Sequence, residues 1–314
     1  MIKYILQRLV YGFFVLLGVV IIVFFLFQLT RINPERQIAG EKADKATIEN
    51  IKKELGLDLP VWQQLGLYLN DISPLSWHNN SDTTSRFYLS SEKYQYFRVL
   101  NIGHTSMVIK KPYLSRSYVS KRSVSEILSE RIPNTLVLAL TAMIFATIVG
   151  ITLGVIAATR PNSMLDRACT TGSVLGISFP SFFVGIILQL VFAYLLASVT
   201  GLNMTGDLYV TDGYTGEQYL ELRNLILPAI ALGVRPVAVI TQLTRSAMID
   251  VMHNDYIRTA RAKGLNERVI LFRHALKNAL NPVVTSVSGW LASLLTGAFF
   301  IEAIFNYNGI GYET

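Results

Sequence analysis

Apolar residues gather in long uninterrupted blocks along this chain, and the charges gather between them. Residues 9–30 form the first block, 22 positions without a charge. As a helix rising ~1.5 Å per residue it reaches ~33 Å, enough to cross a ~30 Å hydrocarbon core. Lys3 and Arg8 precede it. The block is longer than the ~7–15 apolar residues of a signal peptide, and no small-x-small cleavage pattern follows, so it reads as an uncleaved first span. Four further blocks, at about 135–159, 169–199, 225–243 and 282–301, are each of spanning length. None carries the polar stripe of a helix packed in a soluble core. The pattern predicts an all-α polytopic membrane protein with five transmembrane helices and no sixth block before Thr314.

The segments between the blocks have their own patterns. Residues 31–132 read as a soluble segment between spans one and two. Within it, 47–56 predicts a short amphipathic helix with Ile48, Ile51 and Leu55 on one face and Gly56 as its stop. Trp77, Phe87, Tyr88, Tyr94, Tyr96 and Phe97 supply aromatics for a small packed lobe, or for a docking surface. Between spans four and five, 255–282 predicts helix, break, helix. Asp255 is placed to cap the first helix and Gly264 to end it, and a second helix starts near Glu267 and runs towards Pro282. Leu265, Val269, Phe272 and Leu276 recur at helical spacing and predict an apolar stripe. A short helix tied at both ends to spans suits mechanical transmission from a soluble partner; a basic amphipathic stretch lying on anionic lipid is the other reading.

Composition sharpens the class. Charged residues make up 16% of the 314, against ~25% in a soluble domain, while 51% are hydrophobic. That excludes a disordered chain. The single cysteine, Cys169, excludes a disulfide scaffold. Orientation follows from the short loops. If the N-terminal side is inside, the inside segments hold Lys3, Arg8, Arg160, Arg167, Arg245, Arg258, Arg261, Lys263, Arg268, Arg273 and Lys277. The outside loop 201–223 holds only Arg223 against Asp207, Asp212, Glu217 and Glu221. The N-terminus is therefore expected in the cytoplasm. The net charge of +7 follows from this bias and does not require nucleic acid.

Motifs of chemistry are sparse. No G-x-x-x-x-G-K-[ST] loop occurs, the four histidines lie far apart in sequence, no G-x-S-x-G elbow occurs, and no span carries paired carboxylates. No catalytic, cofactor-binding or metal-binding residues are expected. The charge well inside a block is Arg235, which could line a solute path, snorkel, or pair with a neighbouring helix. Gly150–Gly154 and Gly172–Gly176 are small-xxx-small patterns for close helix approach, and Pro180 predicts a kink in span three.

The run Asp255-Tyr256-Ile257-Arg258-Thr259-Ala260-Arg261-Ala262-Lys263-Gly264-Leu265, continued by Arg273-His274-Ala275-Leu276-Lys277-Asn278-Ala279-Leu280-Asn281-Pro282, resembles the "EAA" loop of bacterial ABC import permeases. The form is closest to the oligopeptide/dipeptide/nickel permease family. Arg131-Ile132-Pro133-Asn134-Thr135-Leu136, Leu165-Asp166-Arg167, Gly176-Ile177-Ser178-Phe179-Pro180-Ser181-Phe182, Leu243-Thr244-Arg245-Ser246-Ala247-Met248 and the stretch 302–311 are similar to that family's other landmarks. Arg258-Thr259 stand where the wider class has Glu-Ala, 72–113 looks like an insertion, and the family's sixth span is missing before Thr314.

The resemblance implies three parts: 1–30 as cytoplasmic N-terminus and first span, 31–132 as extracytoplasmic segment, and 133–314 as permease core with a coupling loop at 250–281. It implies a non-enzymatic permease subunit of an ATP-driven importer of peptides or a related small solute, in the bacterial inner membrane. The expected partners are a second permease subunit, two cytoplasmic ATPases that bind ATP and Mg2+, an extracytoplasmic solute-binding protein and the bilayer. The expected ATPase-coupling residues are Asp255, Tyr256, Arg258, Thr259, Ala260, Arg261, Ala262, Lys263, Gly264 and Leu265. The alternative is a non-transporting membrane scaffold or sensor with the outer segment as receptor.

Overall fold

The computed structural model describes residues 2–30, 34–39, 44–82, 85–90, 93–117 and 120–313. The chain forms two compact units, Met1–Ile127 and Leu128–Thr314.

In the first unit, α1 (Ile2–Leu29) is the first span, apolar all round. Helices α2 (Pro34–Ala39) and α3 (Lys45–Glu54) follow. α3 is the helix expected near 47–56: the Asp44 side chain caps it by accepting from the Thr47 backbone N–H, and Gly56, at φ +74°, turns the chain out. α4 (Val61–Ile72) packs on the end of α1 through Phe25–Trp62 and Phe24–Tyr68 ring contacts and a Gln28–Gln64 hydrogen bond of 2.7 Å.

Strands β1 (Leu75–Asn79), β2 (Tyr96–Ile102) and β3 (Thr105–Lys110) make an antiparallel sheet in the order β1-β3-β2. The aromatics divide between its faces, because successive strand residues point to opposite sides. Tyr94 and half-buried Tyr96 and Tyr113 pack with Leu89 and Val108 in the lobe's core. The other face is apolar and open: Leu75 and Trp77 on β1, Ile109 on β3, and Phe97, Leu100 and Ile102 on β2. A bulge between Arg98 and Leu100 puts Phe97 and Leu100 on the same face despite their odd spacing.

The second unit is a helical bundle. α5 (Val124–Thr159) carries the second hydrophobic block and begins earlier than that block, with Pro133 inside it. The third block is more than kinked. α6 (Met164–Ser178) and α7 (Ser181–Leu195, π-wound from Gln189) meet at 106°. The cause is local: Phe179, held extended ahead of a proline, ends α6, and Pro180 starts α7. α8 (Ala197–Thr200) and a two-stranded ribbon, β4 (Tyr209–Thr211) and β5 (Gln218–Leu220), lead to α9 (Arg223–Met252). α10 (Asp255–Ala262) and α11 (Glu267–Phe305) complete the bundle. Four helices among the described residues are long and apolar enough to span, five with the bent α6–α7 pair counted as one.

α9 is the hub, in contact with α6, α7 and α11. On α5, Gly150 and Gly154 let α9 approach closely: a Cβ at Gly150 would meet Ile240, and one at Gly154 would meet Thr244 and the Thr241 carbonyl. Gly176 on α6 performs the same role against Val234 and Ala238, whereas Gly172 faces open space. The expected Gly172–Gly176 motif is therefore half used, because the approach narrows towards Gly176.

Candidate functional site

The α10–α11 hairpin is assembled on one face of the bundle. α10 has eight residues, too few to be stable alone. It is held by two buried side chains one turn apart, Ile257 and Ala260. They pack in a cluster with Val155 and Ala158 of α5, Met248 of α9, and Ile270, Ala275 and Ala279 of α11. Residues of three spanning helices thus share one buried cluster with α10. The Asn278 amide adds a tie, donating to the Tyr256 hydroxyl at 2.9 Å. Asn254, not Asp255, occupies the cap position, and Asp255 is the first helical residue. There its carboxylate sits 3.4 Å from Arg258 and favours the positive end of the helix dipole.

Gly264 stops α10 at φ +75°, a conformation that costs an L-residue ~1–2 kcal/mol. Open space surrounds its Cβ position, so the requirement comes from the backbone alone. An Arg261–Glu267 ion pair of 2.9 Å brackets the turn, and Asn266 caps the next helix.

α11 then runs unbroken for 39 residues through Pro282, rather than as a loop helix followed by a separate span. Packing of Ala279 and Val283 on either side carries it past the lost N–H. Residues Ile270–Leu276 are wound with the wider π pitch. That winding turns Ile270, Ala275 and Ala279 to the core and leaves Val269 and Phe272 outside, with Leu276 half-buried. The expected stripe of Leu265, Val269, Phe272 and Leu276 is therefore not the packed face.

The outward side of the hairpin presents Asp255, Tyr256, Arg258, Thr259, Arg261, Ala262, Lys263, Gly264 and Leu265, all exposed. Of the ten expected coupling residues only Ala260 is buried against the bundle, and Tyr256 reaches α11 through its hydroxyl. Ile257, absent from that set, is the anchor; as the one large aliphatic residue on α10 it was the available signal.

Close by, Arg245 near the end of α9 forms a bidentate pair with Asp166 at the start of α6, with Arg245 Nη2 to Asp166 Oδ2 at 2.7 Å. The Asn162 backbone N–H also donates to Asp166. Two short stretches 79 residues apart in sequence are thereby fastened to each other.

The opposite end of the bundle is closed by a second polar network. Glu302, beyond the expected end of the fifth span, lies inside α11 and is fully buried. Like Arg235, it is an ionisable residue set among apolar neighbours of a spanning helix. Its carboxylate accepts from Thr135 Oγ1 at 2.7 Å and from the Gly311 N–H at 2.6 Å. The Tyr307 hydroxyl donates to the Asn134 carbonyl, Asn134 donates to Asn308 O, and Asn308 donates to Asp207. Asn306, in the left-handed region at φ +52°, makes the turn that brings these groups back. Arg235 sits part-way along α9, exposed, and forms no ion pair within the described residues.

Two stretches of the chain match known families. Residues 150–314 match the one described as "Binding-protein-dependent transport system inner membrane component", and residues 1–83 match "Binding-prot-dependent transport system membrane comp, N-term". The chain belongs to this family of binding-protein-dependent inner-membrane transport components. It is 33% identical to "Dipeptide transport system permease protein DppB" of Alkalihalophilus pseudofirmus, over 99% of this chain and 86% of that protein. It is also 33% identical to "Glutathione transport system permease protein GsiC" of Escherichia coli K12, over 99% of this chain and 85% of that one. A solved methionine ABC transporter, MetNI, is similar at 17% identity and a TM-score of 0.47, covering 60% of this chain and 79% of that one.

The permease is therefore a multi-pass inner-membrane protein and the membrane subunit of an ABC importer. The scaffold-or-sensor alternative falls away. The family is one of transport permeases rather than enzymes, and its membership implies ATPase and solute-binding partners.

Proposed function

We propose that this permease encloses, with a second permease subunit, the path of an importer for peptides or a related small solute, and that α10 with the turn at Gly264 is where a cytoplasmic ATPase pushes. The observation that carries the reading is the construction of α10. One side is fixed by Ile257 and Ala260 to α5, α9 and α11 together, while the other is uncovered and basic. A displacement of α10 must move three spanning helices, because a close-packed cluster transmits displacement rather than absorbing it. The excess of basic residues on this side of the short loops supports a cytoplasmic hairpin and N-terminus. ATP and Mg2+ are held by the two ATPase subunits, and an extracytoplasmic binding protein delivers the solute. The peptide assignment rests on the dipeptide and glutathione permeases to which the chain is similar.

The test uses the complex reconstituted in proteoliposomes. Gly264→Val meets no neighbour but forces a β-branched residue into the left-handed region, so it deforms the turn and leaves the bundle intact. Substrate-stimulated ATP hydrolysis is expected to be lost while membrane insertion and subunit assembly persist. Normal stimulation would remove the coupling role from this turn.

A further inference from the structure

α9 has one line that its own bundle leaves uncovered. From Arg235 towards Met252 the line runs through Val239, Gln242, Ser246 and Asp250, at positions i, i+4, i+7, i+11 and i+15, within one narrow strip of a helix. Arg235, Ser246 and Asp250 are exposed, and Val239 and Gln242 half-buried. In the other direction the same line is covered at Ala231, Pro228 and Asn224. A helix face turned to lipid is apolar; this one carries Arg235 and Gln242 within the core, and Ser246 and Asp250 continue it past the core edge.

Arg235 lies twelve residues from Arg223 and seventeen from Met252, ~18 Å and ~26 Å along the axis. The nearer edge of a ~30 Å core is ~15 Å from its midplane, beyond the reach of an arginine side chain. An arginine at that depth is costly against hydrocarbon and persists where it meets water or an anion. No carboxylate within the described residues pairs with it. The guanidinium is a planar fork whose matched partner is a carboxylate.

We propose that the line from Arg235 to Asp250 is a wetted wall of the translocation path, and that Arg235 takes a carboxylate of the passing solute. The assignment rests on the importer-permease reading given above and adds the wall and the chemical class that it recognises. The strip opens at Arg235 and, past Val239, is polar to the hairpin end of α9, whereas the other direction is covered.

The probe is a pair of membrane-impermeant methanethiosulfonates, one bearing a sulfonate and one a trimethylammonium. They are applied to the assembled complex in the Cys169→Ser, Asp250→Asn background with Gln242→Cys, so that the Asp250 charge ~12 Å from residue 242 does not offset that of Arg235. Residue 242 lies ~10 Å from Arg235 along the helix, close enough for its charge to bias the two reagents in opposite senses. Both reagents are expected to react, the anionic one favoured about tenfold after correction for intrinsic rates. Arg235→Gln should abolish the preference and Arg235→Lys should keep it. No reaction at residue 242 would show that lipid or another subunit covers the strip and would overturn the proposal. So would a preference that survives Arg235→Gln. Either result with substrate-stimulated ATPase intact removes this assignment alone and leaves the importer reading standing.

Discussion

Ile257→Ala tests the lever most directly. Ile257 is fully buried, with Met248, Ile270, Ala275 and Ala279 in its cluster. Truncating a buried isoleucine to alanine costs ~2–5 kcal/mol, through lost transfer energy and the cavity left behind. The other attachments of α10 are small. Ala260 buries one methyl group, worth ~0.8 kcal/mol, and the Asn278–Tyr256 hydrogen bond contributes ~1 kcal/mol. Ile257 thus supplies more than half of the docking. At ~3 kcal/mol its loss shifts the docked–undocked equilibrium of α10 by ~150-fold. An eight-residue helix released from the bundle does not stay folded. Hydrogen exchange in the purified complex should therefore rise by ~100-fold at the amides of α10 and stay unchanged in the middle of α9. Substrate-stimulated ATPase should fall at least fivefold in the same sample, while the unstimulated rate persists. Thr259→Ala, on the exposed side, serves as the control for exchange and should leave it unchanged. If α10 becomes exchange-labile while stimulation keeps its full value, force does not travel through the Ile257 contact and the lever argument is wrong.

Two further outcomes follow from other parts of the chain. A Cβ at Gly309 would overlap the Glu302 carboxyl group, so Gly309→Ala should cost ~1–3 kcal/mol and lower the thermal midpoint of the detergent-solubilised protein, whereas Gly289→Ala, in open space, should not lower it. In the lobe around the three-stranded sheet, burial pushes Lys110 down to about 8, against the pull of Asp71 and with the help of Lys93. Burial, together with Lys110, lowers His78, and burial, together with its bond to Asp71, raises Tyr94. A lysine with a depressed pKa binds fewer protons folded than unfolded, so its stabilisation is full above its ordinary value of 10.5 and is lost as pH falls through about 8. His78 adds a loss below its ordinary 6.5, and Tyr94 a loss above 10. Chemical denaturation followed by Trp77 fluorescence, in a Trp62→Phe, Trp290→Phe background, should show lobe stability rising from pH 7 to 9.5. Lys110→Met should flatten that rise; an unchanged profile in this variant would refute the assignment to Lys110.

Much of the architecture was legible before any coordinates. Membrane crossing depends on hydrophobicity summed over about twenty residues, which neighbours elsewhere in the chain do not alter. Helix stops were legible where only glycine tolerates the backbone, as at Gly56 and Gly264. The hairpin was recognisable because its basic and small residues recur in a fixed local order.

Orientation of faces was a different matter. Ile257 looks like a gap in a polar run until it joins one buried cluster with Met248, Val155 and Ile270 from three helices. The stripe through Val269 and Phe272 presumed 3.6 residues per turn, and the π winding from Ile270 to Leu276 moved the packed face to Ile270, Ala275 and Ala279. Asp166 and Arg245, and likewise Thr135 and Glu302, meet only because helices distant in sequence are packed side by side. Which segments enter the bilayer is a sum over local composition, fixed by the sequence alone. Which side of each helix is covered depends on its winding and on what packs against it, and only the tertiary structure decided that.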